Sequence, residues 1–194
     1  MLNDRTIDFC QRVLKFWFSN TDAIRWFRVS KEFDQQIRDN FQDDLIYLIN
    51  NNDYHQYSDD SFYPVYILAC VIVLDQFPRN MYRGDARAFA FDSKAKELSE
   101  SLIHHQGDKK LPYVERIFIN LPFEHSENLD DQNRAVRYFQ ELYEEARNDP
   151  CSNEHHRDLI KEFGRFPHRN AVLKRQALES EEIYLQNGGE RFGQ

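Results

Sequence analysis

Residues 66–85 read YILACVIVLDQFPRNMYRGD, and this stretch decides the fold. From Tyr66 to Leu74 the chain is apolar on nearly every side, the pattern of a helix buried all round rather than along one stripe. Pro64 is tolerated in the first turn of that helix, whereas Pro78 lacks an amide donor and disfavours α geometry at Phe77. The spacing therefore predicts a central helix that stops near Gln76 or Phe77. Directly after the apolar run come Asp75, Gln76, Arg79, Asn80 and Arg83, a dense set of hydrogen-bonding groups at the end of a buried element. Unpaired charge is costly to bury, so these groups must pair with each other, reach solvent or meet a ligand.

The segments on either side carry helical periods. Ile7, Cys10, Val13, Leu14, Trp17 and Phe18 share one face, with Asp4 or Thr6 as cap, and Ser19-Asn20-Thr21-Asp22 interrupts it. Ser30 caps a helix to about Asn50 with Phe33, Ile37, Phe41, Leu45 and Leu48 inward, and the polar run that follows reads as a loop. Asp85 caps a helix that buries Ala88, Phe91, Ala95, Leu98 and Leu102 and is closed by Gly107. Pro112 opens another with Val114, Ile117, Phe118 and Leu121, ended by Pro122; Ser126 caps the next, which carries Val136, Phe139, Leu142 and Tyr143. After a break at Pro150 and Asn153, Leu159, Ile160 and Phe163 form a short face ending at Gly164, and Ser180 caps a last helix. No strand is predicted. The expectation is an all-α bundle of about eight antiparallel helices forming a single domain, 1–194.

Composition agrees with that class. A chain of 194 residues has the size of one domain and can bury a substantial core, and 14% aromatic residues make that core rich in rings. Only six glycines and six prolines leave too little turn punctuation for an all-β sandwich. A formal net charge of −8 argues against nucleic acid as a partner, since phosphate neutralisation needs surplus cations. Cys10, Cys70 and Cys151 lack CxxC spacing and read as reduced thiols of a cytoplasmic protein. Asp4, Arg5 and Asp8 break any N-terminal apolar stretch, and the longest apolar run is well short of the roughly 20 residues that span a bilayer. A soluble protein with no membrane partner is expected.

Three motifs, LDQFPRNMYRGDARAFAFD, LPFEHSE and FGRFPHRNAVLKR, occur in this order. Together they resemble the bacterial family known as domain of unknown function 924, and the likeness runs from VLKFWF and RWF to EEIYLQNGGERFG. The resemblance implies an all-helical, tetratricopeptide-like fold and no known activity. The chain departs from the family pattern at Lys174 and Gln176, where a glycine and small polar residues are more typical, so a different helix end is expected there.

Each motif holds chemistry at an inter-helix corner. In the first, the structural alternative to a ligand site is that the arginines bond carbonyls at the helix end and pair with a carboxylate. In the second, Glu124, His125, Ser126 and Glu127 can serve simply as capping groups. In the third, Arg165, His168, Arg169, Asn170 and Arg175 can form a turn with surface arginines. If the corners meet, Asp75, Gln76, Arg79, Asn80, Arg83, Glu124, His125, Arg165, His168, Arg169 and Asn170 line one pocket. Arginine forks grip carboxylate or phosphate, so the expected partner is a small anionic ligand or a peptide carboxylate. An enzymatic alternative uses Glu124 or Asp75 as general base and His125 or His168 as acid. A protein-interaction scaffold with an aromatic groove around Trp17, Phe18, Trp26 and Phe27 is the third reading. No cofactor is expected and no metal, because the adjacent pairs His104-His105 and His155-His156 point about 100° apart on a helix.

Overall fold

A computed structural model describes residues 4–19, 26, 28–51, 54, 62–148, 153–171 and 173–189, with only the backbone at Ser19 and at 153–157. Phe27, Pro150, Cys151 and the side chains of His155 and His156 lie outside the described residues. Among the described residues every regular element is helical and none is a strand, so the chain is all-α. By compactness it divides into two units, residues 1–139 and 140–194.

In the first unit, α1 (Asp4–Leu14) runs into a π turn at Lys15–Ser19, and α2 (Lys31–Asn50) follows. Ser30 caps α2 as expected, its Oγ accepting from Phe33 N at 3.2 Å, and Phe33, Ile37, Phe41, Leu45 and Leu48 are all buried. The central helix α3 (Tyr63–Val71) has no exposed side between Tyr66 and Leu74, and it packs against α1, α5 (Asp92–His104) and α6 (Tyr113–Glu124). Burying each of its large aliphatic side chains contributes about 1.5–3 kcal/mol, which makes α3 the anchor of this unit.

The predicted stop before Pro78 does not occur. A π turn at Ile72–Gln76 widens the helix, Phe77 N–H bonds to Ile72 O, and the chain continues as α4 (Phe77–Met81) with Pro78 in its first turn. The extra residue shifts the hydrogen-bond register just where the proline ring and its missing donor would otherwise break the ladder. Phe77 then enters the ring cluster of the core, 4.8 Å from Phe41 and 5.5 Å from Trp17 between centroids. Trp17 thus belongs to the core, and Phe16 and Trp26 pack against it.

Pro122 likewise fails to end its helix, lying inside α6, which closes at His125. Asp85 caps a short 3-10 turn, Ala86–Phe89, before α5 begins at Asp92, and Gln106 rather than Gly107 takes the left-handed conformation after α5. Asn128, not Ser126, caps α7 (Leu129–Asn148), its Oδ1 accepting from Asp130 N at 2.8 Å. On these helices Val114, Val136 and Tyr143 are exposed against expectation, and Ala135 and Tyr138 are buried in their place. Asp108 and Arg116 explain the rotation: Tyr138 donates to Asp108 at 2.7 Å and accepts from Arg116 at 3.3 Å, which fixes the inward face of α7.

In the second unit, α8 (Asn153–Phe163) buries Leu159 and leaves Ile160 exposed. A 3-10 turn at Pro167–Arg169 packs against α9 (Glu179–Gln186), which begins one residue before the expected cap Ser180.

Candidate functional site

The π turn sets the direction of Asp75. Its side chain has no solvent exposure, yet both carboxylate oxygens are satisfied. Oδ2 accepts from Gln76 Nε2 at 2.5 Å, and Oδ1 lies 2.8 Å from His125 Nδ1 and 3.3 Å from Arg79 Nη1. A carboxylate only accepts, so Nδ1 of His125 carries the proton and Nε2 is the ring's basic nitrogen. His125 stands at the C-terminal cap of α6, and thus the first and second motifs meet at this bond.

Arg79 is fixed from two sides. Its Nη1 donates to the backbone oxygen of Asp75 at 2.7 Å, and the guanidinium forks onto Asp92 at 2.7 and 2.8 Å. Burial works against its charge, but the bond to Asp92 and the nearness of Asp75 outweigh it and hold the guanidinium above its ordinary pKa. Lys96, one turn further along α5, donates to Asp131 at 2.5 Å, and Ser126 Oγ donates to the same oxygen at 2.6 Å. Those two donors, Lys96 foremost, keep the Asp131 carboxyl below its usual range.

These groups surround a cleft of about 590 Å³ lined by Arg79, Phe89, Asp92, Ser93 and Lys96 on one side and by Pro122, His125, Ser126 and Glu127 on the other. The volume lies within the roughly 300–1,000 Å³ of small-molecule sites. Its wall therefore combines two cations, each already steadied by a carboxylate, with one histidine whose orientation is fixed from behind. Among the described residues no group of His, Cys, Asp and Glu could hold a metal ion.

The remaining residues singled out in the sequence are not among those that line this cleft. Asn80 donates to Asp34 at 2.9 Å and Arg83 forks onto the same carboxylate at 2.6 and 3.0 Å, tying α4 to α2. Glu124 is exposed and does not line the cleft; Glu127 does. In the second unit, Arg165 forks onto buried Glu181 at 2.6 and 2.7 Å, and Asn170 Nδ2 and Leu178 N also donate to it. Arg175 donates to Phe166 O at 3.1 Å, Arg169 lies over the Phe166 ring at 4.5 Å, and the His168 ring stands 5.7 Å from Phe166. The third motif is thus a turn held by arginines, with Asn170 bonded to the Glu181 side chain.

Sequence reasoning missed Asp34, Asp92, Lys96, Phe89 and Glu181. Asp34 carries a usable signal, a charge set three residues before Ile37 on the apolar stripe of α2. Glu181 carries one as well, a glutamate in the first turn reaching back to an N-cap amide. Nothing local marks Asp92 or Lys96, which reach the site only through the packing of α5 on the central helix.

No helix among the described residues is long and apolar enough to cross a membrane. No curated protein matches the chain. The solved structure of a protein of unknown function from Agrobacterium tumefaciens is similar to it, with a TM-score of 0.61 and 29% identity over 94% of this chain and 99% of that one. The family model described as a bacterial protein of unknown function, DUF924, matches residues 13–189, a span that includes all three motifs, and the chain belongs to that family.

Proposed function

We propose that the cleft binds a small anionic ligand and that His125, held through Nδ1 by Asp75, is the group that takes a proton from it or gives one back. The observation that carries this reading is the pairing of a fully buried carboxylate with a histidine that itself lines the cleft. A carboxylate behind the imidazole fixes its tautomer and the orientation of the ring. Lys96 spends one of its three N–H donors on Asp131 and so has donors left for an incoming carboxylate or phosphate. Calorimetric titration with inorganic phosphate and with succinate tests it. Binding that weakens about tenfold in Lys96→Ala supports the reading, the loss matching one charge-assisted hydrogen bond. Absence of heat with every anion at millimolar concentration counts against it.

A reaction at the same place is a second reading, favoured by the orientation of His125. A histidine base beside fixed cations is suited to proton transfer in which negative charge develops on the substrate. Turnover of phosphoester or carboxylic ester substrates that vanishes in His125→Ala and falls in Asp75→Asn would support catalysis. We also propose that the helices pack in the tetratricopeptide-like manner that the resemblance implies. A protein-interaction scaffold is the reading that survives if no small molecule enters the cleft.

A further inference from the structure

Phe89 is 62% exposed although it is a full aromatic ring, and it faces a cleft whose other walls are mostly charged or hydroxylic. Its position is not loose. The 3-10 turn that carries it is capped by Asp85, which accepts from Arg87 N at 2.8 Å and holds the Arg87 guanidinium at 3.0 Å, while that guanidinium covers the Tyr82 ring at 4.6 Å. The Arg79 guanidinium lies 5.4 Å from the Phe89 centroid, so one cation is shared between the ring and Asp92. Pro122, kept inside α6, lines the same cleft and adds a second apolar surface to it. An exposed ring on a locked turn beside a fixed guanidinium is a ready stacking platform, because a flat apolar body gains contact with the ring face and with the guanidinium plane together.

We propose that the anion bound in the cleft is carried on an aromatic or comparably flat apolar body, which lies against Phe89 while its charged group meets Lys96 and His125. This inference rests on the anion-binding reading above and narrows it to an amphipathic substrate class, such as aryl phosphates or aryl carboxylates. It assigns to Phe89 the role of specificity determinant, with Arg79 as the residue that holds the platform in register.

Paired probes test it: inorganic phosphate against phenyl phosphate, and acetate against 3-phenylpropionate, titrated calorimetrically into wild type, Phe89→Ala and Phe89→Leu. In wild type the ring-bearing member of each pair is expected to bind roughly three- to tenfold tighter, the range set by one aromatic contact. Phe89→Ala abolishes that advantage and leaves the small anions unchanged, and Phe89→Leu returns part of it. Equal affinity within each pair, or equal weakening of both members in Phe89→Ala, overturns the proposal while the anion site stands. Failure of all four probes to bind overturns the anion reading and this inference with it.

Discussion

His125 Nδ1 stands 2.8 Å from Oδ1 of Asp75, a carboxylate with no solvent exposure, whereas the imidazole itself is a quarter exposed. The two ends of the bond are therefore unequal. Removing the Asp75 side chain leaves Gln76 Nε2 and His125 Nδ1 without their acceptor and takes the nearby carboxylate from Arg79, and removing His125 leaves one oxygen that Arg79 can still reach. Asp75→Ala is expected to cost about 3–5 kcal/mol and His125→Ala about 1 kcal/mol, as read from urea midpoints at constant slope. Equal losses would mean that the carboxylate is not the hub.

Pro78 makes a second prediction through the π turn. An interior helical proline costs about 3 kcal/mol relative to alanine, but here the widened turn at Ile72–Gln76 has already moved the register past the ring. Pro78→Ala is accordingly expected to change stability by less than about 1 kcal/mol, since no clash remains to relieve and the unfolded chain gains freedom. A gain near 3 kcal/mol in thermal or urea unfolding would show that the turn carries the strain of the proline.

The same turn explains what could be read from residues 66–85 and what could not. The apolar run from Tyr66 to Leu74 identifies the central helix because burial on every side needs no knowledge of neighbours. Pro78 reads as a stop because the rule is local, and the π turn that defeats it is selected by tertiary contacts of Phe77 with Phe41 and Trp17. Of the site, Asp75, Arg79 and His125 are legible as polar groups beside apolar runs. Asp92, Lys96 and Phe89 come from α5 and the turn before it, and only packing brings them to the cleft. The same holds for α7, whose inward face is set by Tyr138 reaching Asp108 rather than by the hydrophobicity of Val136 and Tyr143.

Cys10 and Cys70 are buried in the first unit, and desolvation pushes the Cys10 thiol up to about 12 and holds that of Cys70 well above its ordinary value. Thiolate, the reactive form, is thus suppressed at neutral pH. Alkylation by iodoacetamide followed by peptide mass spectrometry is expected to leave both cysteines unmodified in the folded protein and to label both in urea. Rapid labelling of either under native conditions would contradict the packing of α1 against α3.

Lys174 adopts φ +52°, the left-handed region that costs a residue with a Cβ about 1–2 kcal/mol and glycine almost nothing. The backbone at this position is therefore in a conformation that glycine adopts more readily than lysine. Lys174→Gly is expected to stabilise the second unit by about 1 kcal/mol, less the entropy that glycine adds to the unfolded chain. Lys174→Val should cost more than it gains, because a β-branched side chain tolerates this region poorly. Amide exchange over residues 165–186 reads both effects locally.

Glu181 gives the second unit its acid response. Hydrogen bonding from Arg165 foremost, aided by Leu178 N–H and Asn170 and opposed by burial, holds its carboxyl at about 2 rather than the usual 4.5. A carboxyl with a depressed folded pKa binds protons less readily folded than unfolded, so its contribution to stability is complete above about 4.5 and disappears as the pH falls to about 2. Amide exchange protection of Asn170 and of the first turn of α9 is therefore expected to fall across that window. Glu181→Gln removes the titrating group, so the variant should be less protected at pH 7 and should show no further step between these values. An unchanged acid step in Glu181→Gln would assign it to another carboxylate, and an unchanged protection at pH 7 would mean that Arg165 and Asn170 gain nothing from the charge.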